Sequence, residues 1–202
     1  SSDAPDDRHL RARIRVDGPA GDLVVAFADQ RVFGSLAIDR LVPTLDVAGE
    51  HVPSQVAHIA RDPLDPHFDD DAWSAALLRR KTGVKSALLD QTLISGIGNI
   101  YADEALWRAR LHYARNTAGL SPSKARELLQ HVREVFAKAL AEGGTSFDAQ
   151  YVNVNGQAGY FAHSLNVYGR QGKPCPRCGR PIVREKFQNR GSHFCEKCQR
   201  ER

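Results

Sequence analysis

The chain has 202 residues, and its 42% hydrophobic content is enough to bury a core in one large domain or two modest ones. Neither an apolar run of membrane-spanning length nor an apolar secretory segment is present, which argues against a membrane protein. The net charge is +4, but residues 1–74 carry seven Lys and Arg against fourteen Asp and Glu, whereas residues 75–202 carry twenty-one against ten. The basic second part predicts contact with a polyanion, and solvated surface charge is the alternative.

The first part of the chain has the pattern of antiparallel β-structure. Leu10–Val16 alternates apolar and basic residues at a period of two, which is typical of a half-buried strand. Turn-forming residues 17–21 separate it from a second strand over residues 22–28. Residues 33–38 are predicted to form a third strand. So few strands cannot close a sandwich, and a partial sandwich is expected.

Helices are predicted for the middle of the chain, after a connector rich in Pro and Asp. Hydrophobic spacing indicates short helices over residues 71–81, 85–93 and 100–109. A longer helix begins at Ser121-Pro122, an N-cap with Pro at the first helical position, and ends at Gly143-Gly144. Its apolar stripe is interpreted as core without a functional role and comprises Ala125, Leu128, Leu129, Val132, Val135, Phe136, Ala139 and Leu140.

A glycine-containing turn, Ser95-Gly-Ile-Gly-Asn99, lies between two of the predicted helices. Glycine permits positive φ and a close approach of the backbone, and the helix that follows presents unpaired N–H groups and the positive end of its dipole. This geometry suits a DNA phosphate, with Asn99 and Lys85 as additional donors. A tight helix–helix turn capped by Asn99 explains the same residues equally well.

Four cysteines, the only ones in the chain, form two C-x-x-C pairs, Cys175/Cys178 and Cys195/Cys198. Two such pairs sixteen residues apart can supply four thiolates to one tetrahedral Zn²⁺. Disulfides and a redox C-x-x-C are the alternatives, but no secretory segment and no surrounding βαβ pattern supports them. We therefore expect one structural zinc ion per chain, in a hairpin whose basic residues suit a polyanion.

Several motifs together resemble the formamidopyrimidine-DNA glycosylase and endonuclease VIII family, and the formamidopyrimidine branch more closely. Residues 91–104, Gln-Thr-Leu-Ile-Ser-Gly-Ile-Gly-Asn-Ile-Tyr-Ala-Asp-Glu, resemble the helix–two-turn–helix motif of that family. Residues 29–34 resemble its Arg-x-Phe-Gly element. The segments at 143–147, 156–161 and 167–175 follow in the family order. The resemblance covers nearly the whole chain and implies binding to damaged double-stranded DNA.

The resemblance implies DNA-binding roles for particular side chains. Arg31 would face the base left without its partner when the damaged nucleotide is flipped out, and Phe33 would wedge beside it. Without the resemblance, Phe33 would be interpreted as strand core and Arg31 as a turn residue. Lys85 and Asn99 would hold phosphates next to the flipped nucleotide. Arg190, in the turn of the zinc hairpin, would hold another, although an exposed turn arginine is the alternative.

Other matches to the family are less direct. The loop from Asn155 to Tyr160 corresponds to the loop that closes over the flipped purine. Tyr168 corresponds to a residue that contacts phosphate. His9 corresponds to a phosphate-binding histidine, although residues 17–21 disturb the match between the two chains.

The catalytic residues of the family have no counterpart in this sequence. Family members begin with Pro-Glu, whose proline amine attacks the sugar C1′ and forms a Schiff base while the glutamate moves protons. This chain begins Ser1-Ser-Asp-Ala-Pro5, and Pro5 has an amide nitrogen that cannot act as the nucleophile. The 202 residues contain no methionine, so Ser1 is not expected to be the native start. A fragment of a full glycosylase and a naturally truncated DNA-binding relative are the two explanations.

The predicted fold class is α+β. Residues 1–53 are assigned to a partial antiparallel β-sandwich, 54–74 to a connector, 75–165 to a helical helix–two-turn–helix domain and 166–202 to a zinc-finger β-hairpin with four cysteine ligands.

The resemblance implies a bacterial, cytoplasmic and nucleoid-associated base-excision-repair enzyme. It would be a monomeric DNA glycosylase and AP lyase for 8-oxoguanine and formamidopyrimidines, and the 202-residue chain by itself is expected to be inactive. The first alternative is a non-catalytic, zinc-dependent protein that binds damaged DNA. A zinc-ribbon domain for protein contacts is the second, but it leaves the Arg31-x-Phe33 and glycine-turn motifs unexplained.

Overall fold

The computed structural model describes residues 8–19, 21–29, 32–144 and 161–201. The chain divides into two compact units, residues 1–40 and 41–202. Within the described residues, helices combine with three separate two-stranded antiparallel sheets, which confirms the α+β class. No helix among these residues is long and apolar enough to cross a membrane.

In the first unit, β1 (Leu10–Val16) and β2 (Leu23–Ala28) form a hairpin. Val16 pairs with Leu23 at the turn, and the register shifts between Leu10 and Ala12. The predicted strand over residues 33–38 is wrong, because these residues form no strand. Instead the Asp29 carboxylate accepts the backbone N–H groups of Val32 at 2.8 Å and Gly34 at 2.7 Å, and these bonds turn the chain where that strand was expected to start.

The second unit opens with a hairpin that the sequence pattern did not reveal. Its strands, β3 (Leu41–Pro43) and β4 (His51–Pro53), have only three residues each. Arg61 fastens the loop between them by contacting the carboxylates of Asp46, Glu50 and Asp65. Hydrogen bonding from Arg61 lowers the pKa of Asp46 to about 2, so this ionic cluster persists well into the acidic range.

Four α-helices follow within residues 41–144, and side-chain caps define the start of two of them. The helices are α1 (Asp70–Arg79), α2 (Val84–Leu88), α3 (Asn99–Arg108) and α4 (Pro122–Ala141). Asp69 caps α1, which therefore begins inside the segment predicted as a connector. Short 3-10 turns lie at Ser54–Val56, Thr117–Gly119 and Phe161–Ser164.

Helix α4 agrees with its prediction at both ends. Ser121 Oγ accepts the N–H of Lys124 at 3.2 Å, and the N–H of Gly144 reaches the carbonyl oxygen of Ala139 at 2.8 Å. The apolar stripe lies in the helical core, as predicted, with one exception: Leu140 is 71% exposed, although the pattern placed it in the core.

Helix α2 is shorter than predicted. The sequence pattern extended it to residue 93, whereas it ends at Leu88. The Asp90 carboxylate accepts the N–H and hydroxyl of Thr92, and these local bonds replace the helical pairing that would have continued there.

The described residues of the second unit form two hydrophobic clusters. The larger one joins the four helices through side chains such as Leu88, Leu106 and Leu128, which are fully or almost fully buried. The smaller one surrounds the cysteine pairs and contains Trp107 and Ile182.

The last hairpin consists of β5 (Val183–Phe187) and β6 (Arg190–Phe194) and extends from the smaller cluster. Trp107 lies near the end of α3 and belongs to that same cluster. This residue therefore connects the helices to the zinc hairpin.

Candidate nucleic-acid interface

A glycine-containing turn directly precedes α3 and sets the conformation of the chain where this helix starts. Gly96 has a φ of +82°, which favours glycine, and a Cβ on it would crowd the side chains of Asp62 at 3.0 Å and Phe136 at 3.2 Å. Gln91 stabilises the turn by accepting the N–H of Gly96 at 3.0 Å and donating to the carbonyl of Ile97 at 3.1 Å.

No side chain among the residues that the structure describes caps α3, and its first turn has no acidic residue. The first N–H groups of a helix have no intrahelical acceptor, and they carry the positive end of the dipole. Intrahelical bonding starts when the N–H of Ala102 reaches the carbonyl of Gly98 at 3.0 Å. The start of α3 therefore offers backbone donors to an anion, as the phosphate interpretation requires.

Asn99 joins this helix start to the zinc hairpin. Its Nδ2 donates to the carbonyl of Gly191 at 3.1 Å, and its Oδ1 is buried without a hydrogen-bond partner among the described residues. A side-chain amide has two N–H groups, so one remains for a phosphate oxygen after the bond to Gly191 has formed. Asn99 does not cap the helix, because no side-chain cap is formed there.

Lys85, predicted to hold a phosphate, is completely buried. Its ammonium lies 2.6 Å from Asp103 Oδ1 and donates to the Gly191 carbonyl at 3.3 Å, and it also lies over the ring of Phe187. Burial lowers the pKa of Lys85, while the charge of Asp103 opposes this change and that of Arg190 reinforces it. In this structure Lys85 is thus occupied by protein groups rather than presented to solvent.

Asp103 is the centre of this buried contact. Besides Lys85, it accepts the hydroxyl of Ser192 at 3.1 Å and the backbone N–H of His193 at 2.9 Å, and His193 Nδ1 lies 3.3 Å away. Asp103 is 1% exposed, and Ser192 is fully buried. One carboxylate on α3 therefore fixes both Lys85 of α2 and strand β6. We call Lys85, Asp103, Gly191, Ser192 and His193 the buried pin.

The turn of the last hairpin lies next to the buried pin. Phe187 pairs with Arg190, so the turn consists of Gln188 and Asn189, and Gln188 adopts a φ of +52°. Arg190 is exposed and makes a 3.1 Å contact with the neighbouring Asn189 side chain. Because Gly191 is held by α2 and α3, the pin also sets where the Arg190 backbone lies relative to α3.

A second buried carboxylate positions the segment that leads into the zinc hairpin. Glu104 accepts the backbone N–H groups of Asn166, Val167 and Tyr168 at 2.8–3.0 Å. Three successive backbone N–H groups thus converge on one carboxylate of α3, which holds this segment against the helix. The ring of Tyr168 packs at 4.7 Å against that of His193, so Tyr168 is placed beside the buried pin.

The four cysteines lie together, as predicted. Their sulfur atoms are all within 4.8 Å of one another, and Cys178 Sγ is 3.4 Å from Cys195 Sγ. Zn–S bonds of about 2.3 Å at tetrahedral angles separate the sulfurs by roughly 3.8 Å, so the donor set fits Zn²⁺. Four thiolates leave no open position, and the zinc site is structural.

Two further side chains attach the zinc site to the helices. Gln199 accepts the N–H of Cys195 and donates to the carbonyl of Leu111, both at 2.9 Å. Arg177 lies 4.2 Å over the ring of Trp107 and donates to its carbonyl at 3.0 Å. The zinc site thus anchors one end of the hairpin, and the buried pin anchors the other.

The remaining predicted residues belong to the first unit or lie outside the described residues. Phe33 is 86% exposed, which contradicts its interpretation as strand core. His9 directly precedes β1 and contacts the side chain of Arg8. Arg31 and the loop from Asn155 to Tyr160 lie outside the residues that the structure describes.

Sequence reasoning missed Asp103, Glu104 and Gln199. Both carboxylates lie in a helix whose other face is apolar, and acidic residues in such a position are usually solvated. Gln199 directly follows a cysteine pair and resembles any polar residue beside such a pair. Only the tertiary contacts show that all three are almost completely buried.

Two family models match the chain. Residues 59–150 match the formamidopyrimidine-DNA glycosylase H2TH domain, and residues 172–200 match the zinc finger found in FPG and IleRS. Proteins named formamidopyrimidine-DNA glycosylase from Leifsonia xyli and Thermobifida fusca are 62% and 58% identical over 95% and 96% of this chain. The chain spans about two thirds of the length of these relatives, 67% and 66% respectively.

Solved structures show the same similarity. The MutM (Fpg) protein of Thermus thermophilus aligns with a TM-score of 0.77 and 35% identity, covering 96% of this chain and 70% of that one. The Lactococcus lactis Fpg in complex with DNA containing an abasic site aligns with a TM-score of 0.76 and 31% identity, covering 98% and 69%.

Proposed function

Because the chain belongs to the formamidopyrimidine-DNA glycosylase family, we propose that it is the DNA-holding part of a base-excision-repair glycosylase and AP lyase. Its substrate class is double-stranded DNA with oxidised purines, 8-oxoguanine and formamidopyrimidines. Solved relatives have been captured on DNA containing Fapy-dG and on DNA containing an abasic site, which supports this substrate class. We further propose that it acts as a monomer, in the cytoplasm of a bacterium and at its nucleoid.

The observation that carries this proposal is the shared use of the Gly191 carbonyl. Lys85 and Asn99 both donate to it, so the hairpin that bears Arg190 is fixed against the start of α3. Backbone N–H groups, the Asn99 amide and the Arg190 guanidinium are then three kinds of phosphate donor in one neighbourhood, which we call the phosphate grip. Phosphate contacts of this kind set the register of a protein on a duplex without reading its sequence.

Lys85 takes part in this grip indirectly. Its ammonium is already paired with Asp103 and is closed off from solvent, so we assign it to positioning Asn99 and the hairpin rather than to direct phosphate contact. Tyr168, beside His193, is assigned to the edge of the same surface. The four-part domain division, at 1–53, 54–74, 75–165 and 166–202, is retained as a proposal for how these roles are distributed.

Phe33 and Arg31 are assigned to the opened base pair. The Asp29 carboxylate forms a tight turn that presents Phe33 at 86% exposure. An exposed aromatic ring on such a turn can replace the stacking lost when a nucleotide leaves the helix. Arg31 is assigned to the orphaned base, and Tyr160 to the flipped purine, by the family resemblance alone.

The family chemistry needs the amine of a first-position proline and the carboxylate of the glutamate after it, and these 202 residues contain no such pair. No proline in the sequence is followed by glutamate. In the proposed reaction the proline amine attacks C1′, the base leaves with the proton it requires, and the resulting iminium allows β,δ-elimination of the two phosphates. A non-catalytic, zinc-dependent DNA-binding protein is the second candidate function, since these residues carry phosphate donors without a Pro-Glu pair.

Borohydride trapping separates these two functions. A polypeptide of these 202 residues is expected to give no efficient covalent adduct with a duplex containing 8-oxoguanine, because the secondary amine is missing. Joined to a preceding segment that starts with Pro-Glu, it is expected to trap. In that longer protein, Phe33→Ala should slow base excision more than cleavage of a ready-made abasic site, since only excision requires the base to be extruded. Efficient trapping by the 202-residue chain would contradict the assignment.

Removing a phosphate contact is expected to weaken binding without changing lesion preference. Each of the variants Asn99→Ala and Arg190→Ala should bind damaged and undamaged duplexes more weakly. For a given variant, the factor should be the same for both duplexes. For Arg190→Ala, the slope of log K against log salt should fall in magnitude by about 0.9, as for one lost phosphate contact. Fluorescence anisotropy over a salt series measures both quantities. An effect confined to the damaged duplex would move the residue from phosphate contact to lesion recognition.

A further inference from the structure

A second concentration of positive charge lies at the opposite end of α3. A cleft of about 410 Å³, which we call the basic cleft, is lined by Arg110, Arg115, Lys124 and Arg200, and no acidic residue from the described part of the chain lines it. An adjoining cleft of about 880 Å³ shares Arg115 and Arg200 and includes Glu201. Helix α3 has ten residues, so at 1.5 Å per residue its two ends are about 15 Å apart. The basic cleft is therefore distinct from the phosphate grip around Asn99.

The cleft cations have few partners in the part of the chain that the structure describes. Lys124 pairs with Glu127 at 2.8 Å, but Arg110, Arg115 and Arg200 lie within ion-pair distance of no carboxylate there. Arg115 donates to the backbone carbonyls of Gly119 and Glu201, at 3.4 Å each. Clustered like charges repel one another, and an anion between them removes that repulsion.

The backbone at Arg110 is an independent indication of a role for its side chain. Arg110 has a φ of +55° and follows α3 in a Schellman motif, in which its N–H reaches Trp107 and the N–H of Leu111 reaches Leu106. Glycine is the residue that this left-handed position favours, because a Cβ is strained there. The fold alone thus gives no reason for arginine, whose exposed side chain lines the cleft.

We propose that the basic cleft binds phosphodiester groups of a second stretch of nucleic acid, away from the grip at the start of α3. Guanidinium groups match phosphate oxygens with two parallel hydrogen bonds. The two adjoining clefts share Arg115 and Arg200, so successive phosphates can occupy them in turn. This proposal goes beyond lesion excision and does not depend on it, since the cleft involves none of the residues assigned to the grip.

Duplex binding over a salt series tests the proposal with the zinc-loaded chain. Lys124→Gln and Arg200→Gln are each expected to weaken binding of an undamaged duplex of about 40 base pairs roughly two- to fivefold and to reduce the salt slope by about 0.9. Arg126→Gln is the matched control, because it lies on the same helix as Lys124, is also paired with one carboxylate and does not line the cleft. The control should leave the slope unchanged.

A shorter duplex of about 12 base pairs identifies the source of the phosphates. An effect seen only with the longer duplex at one protein per DNA indicates flanking DNA of the same molecule. An effect with the short duplex at two DNA molecules per protein indicates a second duplex. Arg110→Gly provides a readout that a purely structural role cannot produce: it should raise the melting temperature while weakening DNA binding.

The proposal is overturned if all three cleft variants bind both duplexes with the affinity and salt slope of the Arg126→Gln control. It is also overturned if a polyglutamate peptide binds the chain and loses affinity in these variants while duplex binding stays constant. That second result would identify the cleft as a site for an acidic protein partner. Neither result affects the role assigned to Asn99 and Arg190, whose variants are measured separately.

Discussion

A Cys178→Ser variant is expected to lose its zinc ion and about a hundredfold in duplex affinity. Structural zinc contributes about 10–16 kcal/mol in isolated zinc fingers, and the second hydrophobic cluster consists largely of the cysteines and their neighbours. Without the metal the hairpin loses its anchored base, and the Arg190 contact is lost with it. Two charge-assisted hydrogen bonds from the Arg190 guanidinium, at about 1.5 kcal/mol each, correspond to that loss of affinity.

The helical core should survive this substitution, because its buried cluster is separate from the one around the cysteines. Far-ultraviolet circular dichroism should therefore retain the helical signal while the zinc content, measured by atomic spectroscopy, falls to zero. Lys197→Ser is the matched control: it removes a charge from the other C-x-x-C pair, Cys195/Cys198, but no ligand, and it should retain zinc and most of the affinity. Metal-free protein that binds duplex as tightly as the zinc form would remove zinc from the DNA-binding role.

The second large effect is expected at the buried pin. Asp103→Asn keeps the shape of the side chain but leaves the Lys85 ammonium buried without its counter-ion. Removing the charge of one partner in a buried ion pair typically destabilises a protein by about 3–5 kcal/mol. For a unit of this size, that corresponds to a fall in melting temperature of roughly 10 °C. Thermal unfolding followed by circular dichroism measures it.

An exposed ion pair on the same domain is the control for this experiment. Asp71 pairs with Arg126 at 3.0 Å, with both side chains largely exposed. Asp71→Asn removes the same charge and should change the stability by less than about 0.5 kcal/mol. If both substitutions had the same small effect, the contact between Lys85 and Asp103 would not be the pin that the geometry indicates.

DNA binding by Lys85→Met distinguishes a positioning role from direct phosphate contact. A lysine that touches a phosphate releases a counterion, so its loss lowers the salt slope by about 0.9. A lysine that only positions Asn99 and the hairpin leaves the slope unchanged while the affinity falls. We expect the second result, because the ammonium is fully buried against Asp103 and Gly191.

The sequence predicted best where one local rule decides the structure. The cap at Ser121 and the closing glycines of α4 act within a few residues, and both are formed as expected. The cysteine spacing was equally decisive, because four thiolates that must share one metal leave few arrangements. Leu140 fits the same stripe and is nevertheless exposed. Periodicity shows which face of a helix is apolar, but it does not show how far along that face other elements pack against it.

Polar contacts outside the periodic pattern could not be predicted from the sequence. Lys85 and Asn99 were expected to hold phosphates, and this remains a prediction, but no local pattern shows that both donate to the Gly191 carbonyl, 106 and 92 residues later. Residues 33–38 have the composition of a strand, but the N–H groups of Val32 and Gly34, at the expected start of that strand, donate to the Asp29 carboxylate instead. In both places a polar contact outside the periodic pattern decided the outcome.

Because the chain is synthesised from its N-terminus, the buried pin is completed only late in synthesis. The helices up to α4 are complete at Ala141, whereas the last cysteine ligand is Cys198. At the roughly 5–20 residues per second of ribosomal synthesis, about 3–11 s separate these points. During that interval Lys85 can pair with Asp103, but the hydrogen bonds to the Gly191 carbonyl and from the Ser192 hydroxyl cannot yet form. A half-made chain therefore cannot assemble the phosphate grip, and competence to hold DNA arises only after residue 198 has left the ribosome and bound its metal.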